Sequence, residues 1–343
     1  MKWKLILGLA LSALFLWLAS RDVPWQEVWQ ILSGARYWLM VPVVALTMLA
    51  YLVRAWRWQF LLVGVGHISL RSLWSSIMIG FMGNNILPAR LGELLRAHSL
   101  GRSAGVSRSA ALASVVVERV LDIGVLLLVF GGVFALGLLP PGIGRWGGIL
   151  MMLAVPLVAF LVLFELRPEP VWGLVERFLP RRLRPRLRAI AMNFRDGLRV
   201  LRHPVPLLAG IALSILMWGI LVAVVMLSLA ALSLTTAPDA AVVVLVVMAI
   251  GTMVPAAPGY LGTLQVAGTL ALVQYGVPKS SAFSFTVLYH AGQWLPVTVV
   301  GLFHFMRQNL SLRRLGDLAA VKDGPAVPGT ERKLGRGVTG ADM

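Results

Sequence analysis

The sequence predicts an all-α polytopic membrane protein in which six spanning helices and two re-entrant helical hairpins form an inverted repeat. Of the 343 residues, 58% are hydrophobic and 13% are charged, whereas about a quarter of the residues in a soluble domain are charged. So much apolar surface cannot be hidden in one soluble core, which makes lipid the expected solvent. Apolar runs of spanning length recur along the chain, and two further runs are interrupted by proline and glycine.

Six apolar runs reach the roughly 20 residues that cross a bilayer as a helix. The first run follows Lys2 and Lys4 and resembles the apolar part of a signal peptide. Because no small-residue cleavage site follows it, an uncleaved span is favoured. The six spans are predicted at residues 3–19, 38–62, 110–139, 147–166, 205–234 and 283–306.

Two further apolar stretches, residues 73–100 and 241–275, are interrupted near their middles. Proline lacks an amide donor and glycine frees the backbone, so each interruption ends a helix. The flanking segments hold about 15 residues or fewer, which is short for a span. We predict re-entrant helical hairpins; if they span fully, the count becomes ten helices with unchanged orientation. The breaks contain Pro88 and Gly92 in the first stretch and Pro255, Pro258, Gly259 and Gly262 in the second.

Lysine and arginine are distributed unevenly over the connecting segments. Residues 167–202 hold ten arginines and three acids, and residues 307–343 hold seven Lys or Arg. Segments 21–36, 140–146, 235–239 and 276–281 together hold four. The positive-inside rule therefore predicts a basic cytoplasmic loop at 167–203, a basic cytoplasmic tail at 307–343, and both termini inside. The composition of the tail predicts that it is disordered. Anionic lipids at the cytoplasmic face, rather than nucleic acid, are the expected partners of the net charge of +17.

Two parts of the chain resemble each other, residues 73–139 and 241–306. Residues 91–97 and 261–267 match at four of seven positions. Because Leu, Ala and Gly are common in this chain, chance is the alternative explanation. The charge distribution places the two copies in opposite membrane orientations, which is typical of transporters built from inverted-topology repeats.

Three charged residues lie inside the predicted span 110–139. Glu118 and Asp122 are four residues apart and share a helix face, with Arg119 beside them. A charged side chain at the centre of a bilayer costs at least about 2.5–3.5 kcal/mol. These residues are therefore candidates for a substrate path, or alternatively for a structural ion pair between Arg119 and one of the acids.

The first hairpin is unusually polar for a membrane segment. It carries Asn84, Asn85, Arg90, Glu93 and Arg96 around its break. A helix that starts after the break directs its free amides towards these side chains, an arrangement that binds phosphate. The alternative is that the asparagines satisfy backbone groups freed by the break.

Two other arginines, Arg54 and Arg57, lie near the predicted cytoplasmic end of the span 38–62, beside Trp56 and Trp58. Interfacial snorkelling of both arginines is expected rather than substrate contact. No cofactor or metal site is predicted, because the five histidines lack metal-ligand spacing and no P-loop sequence is present.

Together these motifs resemble the lysylphosphatidylglycerol synthase transmembrane family, the flippase-like membrane domain of the multiple peptide resistance factor type. The resemblance implies a lipid-flipping module of a prokaryotic cytoplasmic membrane, acting on aminoacylated phosphatidylglycerol in the best-known relatives. Gln265 and His290 stand where the resemblance leads us to expect an acid and an arginine. The resemblance to this family rests on three motifs. They are the run Asn84-Asn85-Ile86-Leu87-Pro88-Ala89-Arg90-Leu91-Gly92-Glu93 with Arg96, the pair Glu118-Arg119 with Asp122, and the run Pro258-Gly259-Tyr260-Leu261-Gly262.

The predicted function is lipid translocation by one transmembrane domain, residues 1–306, with the oligomeric state left open. The expected substrate is a phosphate-bearing or aminoacylated phospholipid, or a polyprenyl-linked lipid. Lysyl transfer is not expected, since only a short tail follows Met306. An integral membrane enzyme that modifies a lipid-linked substrate and a small-solute secondary transporter are the alternatives. The predicted substrate-binding residues are Asn84, Asn85, Arg90, Glu93, Arg96, Glu118, Arg119, Asp122, Gln265 and His290.

Overall fold

The computed structural model describes residues 2–62, 68–87, 91–137, 167–177, 203–237, 239–252 and 258–310, with seven isolated residues between 152 and 188. Residues 1–310 belong to one compact unit. All regular elements within the described ranges are helical, as predicted. The tail 311–343 and most of the predicted span 147–166 and of the basic loop 167–203 lie outside the described residues.

Eleven α-helices form the described part of the chain, and several begin at the caps that their sequences provide. Ser69 and Ser107 accept hydrogen bonds from the first turns of α4 and α6, and Gly105 ends α5 with a φ of +68°. Two short 3₁₀ turns lie at Tyr37–Leu39 and Pro258–Tyr260. The α-helices are α1 (Lys2–Ser20), α2 (Trp25–Ser33), α3 (Met40–Leu61), α4 (Leu70–Ile86), α5 (Gly92–Ala104), α6 (Arg108–Ala135), α7 (Pro168–Arg177), α8 (Pro204–Ala231), α9 (Ala240–Gly251), α10 (Thr263–Val273) and α11 (Lys279–Arg307).

Two segments of the described chain are long and apolar enough to cross a membrane, Tyr37–Leu61 and Pro204–Ala231. They correspond to the predicted spans 38–62 and 205–234. The segments Ala10–Ser20 and Ala240–Gly251 are apolar but shorter. The other predicted spans therefore remain predictions, although α6 and α11 are 28 and 29 residues long.

The first interrupted stretch forms a pair of antiparallel helices, α4 and α5, which we call hairpin 1. Towards the end of the hairpin that is opposite the break, the hydroxyl groups of Ser76 on α4 and Ser99 on α5 hydrogen bond at 3.0 Å. Nearer the break, a Cβ atom added at Gly92 would lie 1.9 Å from the carbonyl oxygen of Gly80. The backbones of α4 and α5 are therefore in direct contact at Gly92, because glycine has no side chain to keep them apart.

The second interrupted stretch forms another antiparallel pair, α9 and α10, which we call hairpin 2. At the open end, the Tyr275 hydroxyl donates to Asp239, 2.6 Å away. Towards the break, Gly251 lies against Ala267. The break itself needs residues with positive φ, Gly259 at +72° and Gly262 at +89°. Two prolines assigned to the breaks, Pro88 and Pro255, lie outside the described residues.

Helix α11 contacts the two hairpins with opposite halves of its length. In the first half, a Cβ atom added at Gly268 of hairpin 2 would lie 2.6 Å from Thr286. In the second half, one added at Gly301 would lie 2.3 Å from Met82 of hairpin 1. These contacts are 15 residues apart, about 22 Å along the helix axis. The hairpins therefore approach each other from opposite ends of α11.

The same order of elements occurs twice, a long helix, a hairpin of two shorter helices and a second long helix. The first set is α3 to α6 and the second is α8 to α11. Helices α3 and α8 pack antiparallel, because Arg36 bonds Ala231 while Arg57 bonds Ser214. The repeated order therefore begins one helix before each of the halves 73–139 and 241–306.

Candidate charged site

Five buried charged side chains from three helices meet in the interior of the protein. Each is between 0 and 8% exposed. Four of them form two pairs that each share a helix face, the arginines of one pair three residues apart and the acids of the other four apart, and the fifth is a single arginine. We call this set the charged cluster: Arg54 and Arg57 on α3, Arg96 on α5, and Glu118 and Asp122 on α6.

Glu118 lies at the centre of the charged cluster and contacts all three arginines. Arg54 donates to its Oε1 at 2.8 Å, and Arg96 donates to its Oε2 at 2.7 Å. A nitrogen of Arg57 lies 3.3 Å from Oε1. Both carboxylate oxygens are thus held by guanidinium groups, which is the strong form of hydrogen bond.

Asp122 is held mainly by Arg57, and this contact reaches the second half of the fold. Arg57 Nη1 donates to Asp122 Oδ1 at 2.6 Å and to the hydroxyl of Ser214 on α8 at 2.7 Å. The Ser214 hydroxyl donates in turn to the carbonyl oxygen of Gly210. The charged cluster therefore ties α3 and α6 to α8.

Aromatic rings fix the orientation of two of the arginines. The Arg96 guanidinium lies 3.7 Å from the ring centroid of Trp58, which is fully buried. Trp58 is itself anchored by its indole nitrogen, which donates to Ser114 at 2.8 Å. Arg54 lies 5.0 Å from the ring of Phe81. Such contacts attract a cation to the ring face and limit its rotation.

The charged cluster carries an excess of one positive charge, because three arginines face two carboxylates. The buried Nε atoms of Arg57 and Arg96 have no hydrogen-bond partner among the described residues. Uncompensated charge and unpaired donors are costly in a buried place. An added anion beside the cluster would compensate the excess charge.

A second ion pair lies at the edge of the charged cluster. Arg119 is 3.4 Å from Glu93 and 3.8 Å from Asp122. The side chains of Arg119 and Glu93 are about one third exposed, at 36% and 32%. This pair is neutral in sum and leaves the excess charge of the cluster unchanged.

A cavity of about 150 Å³ lies next to the charged cluster and is lined by both halves of the fold. Arg54 is the one charged residue among its described lining residues. The excess positive charge therefore borders this cavity through Arg54. Its polar or aromatic lining includes Tyr51, Arg54, Trp218, Thr252, Tyr289 and Gln293.

Residues 5–301 match the family model of the lysylphosphatidylglycerol synthase TM region. The chain belongs to this family. The resemblance predicted from the sequence motifs is thus confirmed, and so is the class of membrane protein. The charged cluster and the cavity both lie within the residues that match the family model.

Two relatives of this family member come from archaea and are named membrane proteins. A UPF0104 membrane protein of Methanothermobacter thermautotrophicus is 24% identical over 289 residues, which cover 78% of this chain and 83% of the relative. A UPF0104 membrane protein of Methanocaldococcus jannaschii is 26% identical over 132 residues, 38% of this chain and 39% of the relative. No solved structure matches the chain significantly.

The structure brings together some of the residues that the sequence singled out. Arg96, Glu118 and Asp122 belong to the charged cluster, and Arg119 pairs with Glu93 at its edge. Arg119 is thus a lesser partner of the acids than the three buried arginines. Arg90 lies outside the described residues.

The remaining predicted residues lie elsewhere. Asn84 is buried inside hairpin 1 against Gly92. Asn85 donates to the hydroxyl of Thr298 on α11 at 2.8 Å, so it joins hairpin 1 to α11. Gln265 and His290 hydrogen bond each other at 2.9 Å, away from the charged cluster.

The expectation for Arg54 and Arg57 was wrong. Interfacial snorkelling was predicted, yet both side chains are buried and bind Glu118 and Asp122. Trp58, predicted at the interface, is also buried. The reason is that α3 packs against α6 and α8, which places its arginines beside two carboxylates. One signal in the sequence could have revealed this pairing. Arg54 and Arg57 share one face of their helix, as Glu118 and Asp122 do on theirs, so two arginines could face two acids.

Proposed function

We propose that this protein is a lipid translocase of a prokaryotic cytoplasmic membrane, with both termini in the cytoplasm. Its substrate would be a phospholipid or polyprenyl-linked lipid with a phosphate in the headgroup. The observation that carries the proposal is the buried excess positive charge beside the cavity. Membership of a family named for a lipid synthase region supports a lipid as the substrate.

Arg54 is the residue that would bind the phosphate. It lines the cavity, and its contact with Asp122, 3.4 Å long, is its weaker ion pair. Guanidinium groups bind phosphate oxygens through paired, charge-assisted hydrogen bonds. A phosphate in the cavity would replace that contact, while Glu118 would keep Arg54 and Arg96 in place.

The repeated order of elements supports alternating access as the mechanism. Equivalent helices α3 and α8 run antiparallel, and the two hairpins approach each other from opposite ends of α11. This arrangement is the one expected for an inverted repeat with six spans and two re-entrant hairpins. In transporters of this architecture the substrate site lies where the interrupted helices meet. Motion of one half against the other would expose the cavity to each side in turn.

Transport is a better match than catalysis for these side chains. Glu118 and Asp122 are the acids that contact Arg54 of the cavity, and arginines hold both. A carboxylate held by several guanidinium groups is a poor base and a poor nucleophile. We therefore propose a transporter rather than a lipid-modifying enzyme.

Anionic lipids at the cytoplasmic face are the proposed partners of the basic segments.

Replacing Arg54 by Gln is expected to slow lipid translocation about tenfold or more, because it removes charge-assisted hydrogen bonds to the phosphate. The variant leaves two arginines facing two acids, so the folded state should persist. Arg54→Lys keeps the charge but loses the planar fork and should give a partial loss. The measurement is the rate at which a fluorescent phospholipid crosses the bilayer of proteoliposomes.

The control is Arg36→Gln, which changes an exposed arginine outside the charged cluster. It should translocate lipid at the rate of the unchanged protein. Equal rates for Arg54→Gln and Arg36→Gln would contradict the assignment of Arg54. If the unchanged protein altered the lipid chemically instead of moving it, a membrane enzyme would be the better explanation.

A further inference from the structure

A second and larger cavity lies on the other side of helices α10 and α11. It is a groove of about 490 Å³ between α1, the break of hairpin 2 and α11. Among its described lining residues, His290 is the one with a titratable side chain, and the others are uncharged. Its walls are mostly apolar and are formed by Leu16, Leu261, Phe283, Val287, Trp294 and Leu295.

The groove and the cavity beside Arg54 share one wall, which is a single layer of helices formed by α10 and α11. On α10, Leu264 lines the cavity and the next residue, Gln265, lines the groove. On α11, Tyr289 lines the cavity and the next residue, His290, lines the groove. Separating α10 from α11 would therefore join the two spaces.

A hydrogen bond, rather than an ion pair, closes this wall on the groove side. Gln265 Nε2 and His290 Nδ1 are 2.9 Å apart, and both side chains are buried. Gln265 Oε1 also accepts from the backbone of Gly262 at 2.8 Å, which fixes the start of α10. Breaking a hydrogen bond costs less than breaking an ion pair at the same depth.

The first half of the fold has a polar contact between the equivalent pair of helices. Glu93 on α5 and Arg119 on α6 join the second helix of hairpin 1 to the long helix after it, at 3.4 Å. Gln265 and His290 likewise join the second helix of hairpin 2 to the long helix after it. Polar side chains therefore join these two helices in both halves, and in the first half Arg96 and Glu118 of the charged cluster add a second, buried contact.

We propose that the contact between α10 and α11 is a lateral gate and that the groove binds an acyl chain of the lipid being moved. This inference rests on the proposed function. The Gln265–His290 bond closes the gate. When it opens, the headgroup passes between the groove and the Arg54 cavity while the acyl chain stays in the groove. An acyl chain is the occupant that an apolar, largely uncharged groove in a membrane protein accepts, and the shared wall places that chain beside the headgroup site.

The gate can be tested by cross-linking, because the chain contains no cysteine. The variant is Gln265→Cys with His290→Cys, joined by a short bifunctional thiol reagent. Joining the helices should slow phospholipid translocation in proteoliposomes about tenfold or more, since the gate can no longer open. The matched control is Ser76→Cys with Ser99→Cys, which joins the two helices of hairpin 1 and should leave the rate unchanged.

The outcomes separate the gate from the proposed function. If cross-linked and unreacted protein translocate lipid equally fast, the gate is wrong and the proposed function stands. If the protein without cysteines moves no lipid, the proposed function fails and the gate fails with it. If the double variant is inactive before reaction, Val266→Cys with Val287→Cys replaces it, because both valines pack on the same hydrophobic cluster.

The occupant of the groove can be tested with a phospholipid that carries a photoactivatable group on its acyl chain. In vesicles of this lipid, labelling of residues 283–295 is expected. Ala291→Phe fills the groove and should lower both this labelling and the translocation rate severalfold. The control Val299→Phe adds the same ring at an exposed position of α11 that does not line the groove and should change neither. Translocation without any labelling of the groove would overturn the acyl-chain assignment.

Discussion

Replacing Glu118 by Gln is expected to destabilise the folded protein by about 3–5 kcal/mol, the cost of leaving buried charges without their partner. Glu118 is fully buried and contacts Arg54, Arg57 and Arg96 within 3.3 Å. Glutamine keeps the shape of the side chain but removes its charge. Three buried arginines would then face Asp122 alone.

The measurement is the free energy of unfolding of the reconstituted protein, with Asp22→Asn as control. Asp22 forms an exposed ion pair with Arg21, and its side chain is 75% exposed. An exposed pair contributes about 0–1 kcal/mol, so the control should unfold almost like the unchanged protein.

A double variant gives a further check on the same contact. Arg96→Met removes the arginine that donates to Glu118 Oε2. Combined with Glu118→Gln, it removes one charge of each sign and should recover part of the lost stability. If Glu118→Gln unfolds like Asp22→Asn, the charged cluster does not hold the fold together.

The acids of the charged cluster could be predicted from the sequence, but two of its arginines could not. Glu118 and Asp122 interrupt a long apolar run, where a charge is conspicuous and costly. Arg54 and Arg57 lie near a predicted helix end beside tryptophans, a pattern that also describes an interface anchor. What distinguishes the two cases is the packing of α3 against α6 and α8, which is a tertiary contact. Ser214 was missed for the same reason, since a serine on an apolar helix gives no signal of its own.

The ends of the interrupted helices were easier to predict than the contacts between distant helices. Proline and glycine mark where each interrupted helix ends, and this rule is local. The antiparallel pairing of α3 with α8, by contrast, depends on packing between distant parts of the chain. Gln265 and His290 were selected as substrate residues through a resemblance. The structure shows them bonded to each other, a contact that their separation of 25 residues does not reveal.

Replacing Gly92 by Ala is expected to disrupt hairpin 1, because the added methyl has no space. Its Cβ atom would lie 1.9 Å from the carbonyl oxygen of Gly80 and 2.5 Å from the backbone nitrogen of Asn84. Backbone atoms cannot move aside as a flexible side chain can, so α4 and α5 must separate. Overpacking of this kind costs about 1–3 kcal/mol, and occasionally more.

The same substitution should also slow lipid translocation, because Arg96 lies about one turn after Gly92 on α5 and would move away from Glu118. The control is Gly124→Ala, since a Cβ atom at Gly124 of α6 meets nothing within 4 Å. Alanine is favoured over glycine in a helix by up to about 1 kcal/mol, so this control should keep or raise the stability. Both variants are compared by thermal unfolding and by the translocation rate. Equal behaviour of the two alanine variants would mean that α4 and α5 do not touch at Gly92, and the position of Arg96 in the charged cluster would have to be revised.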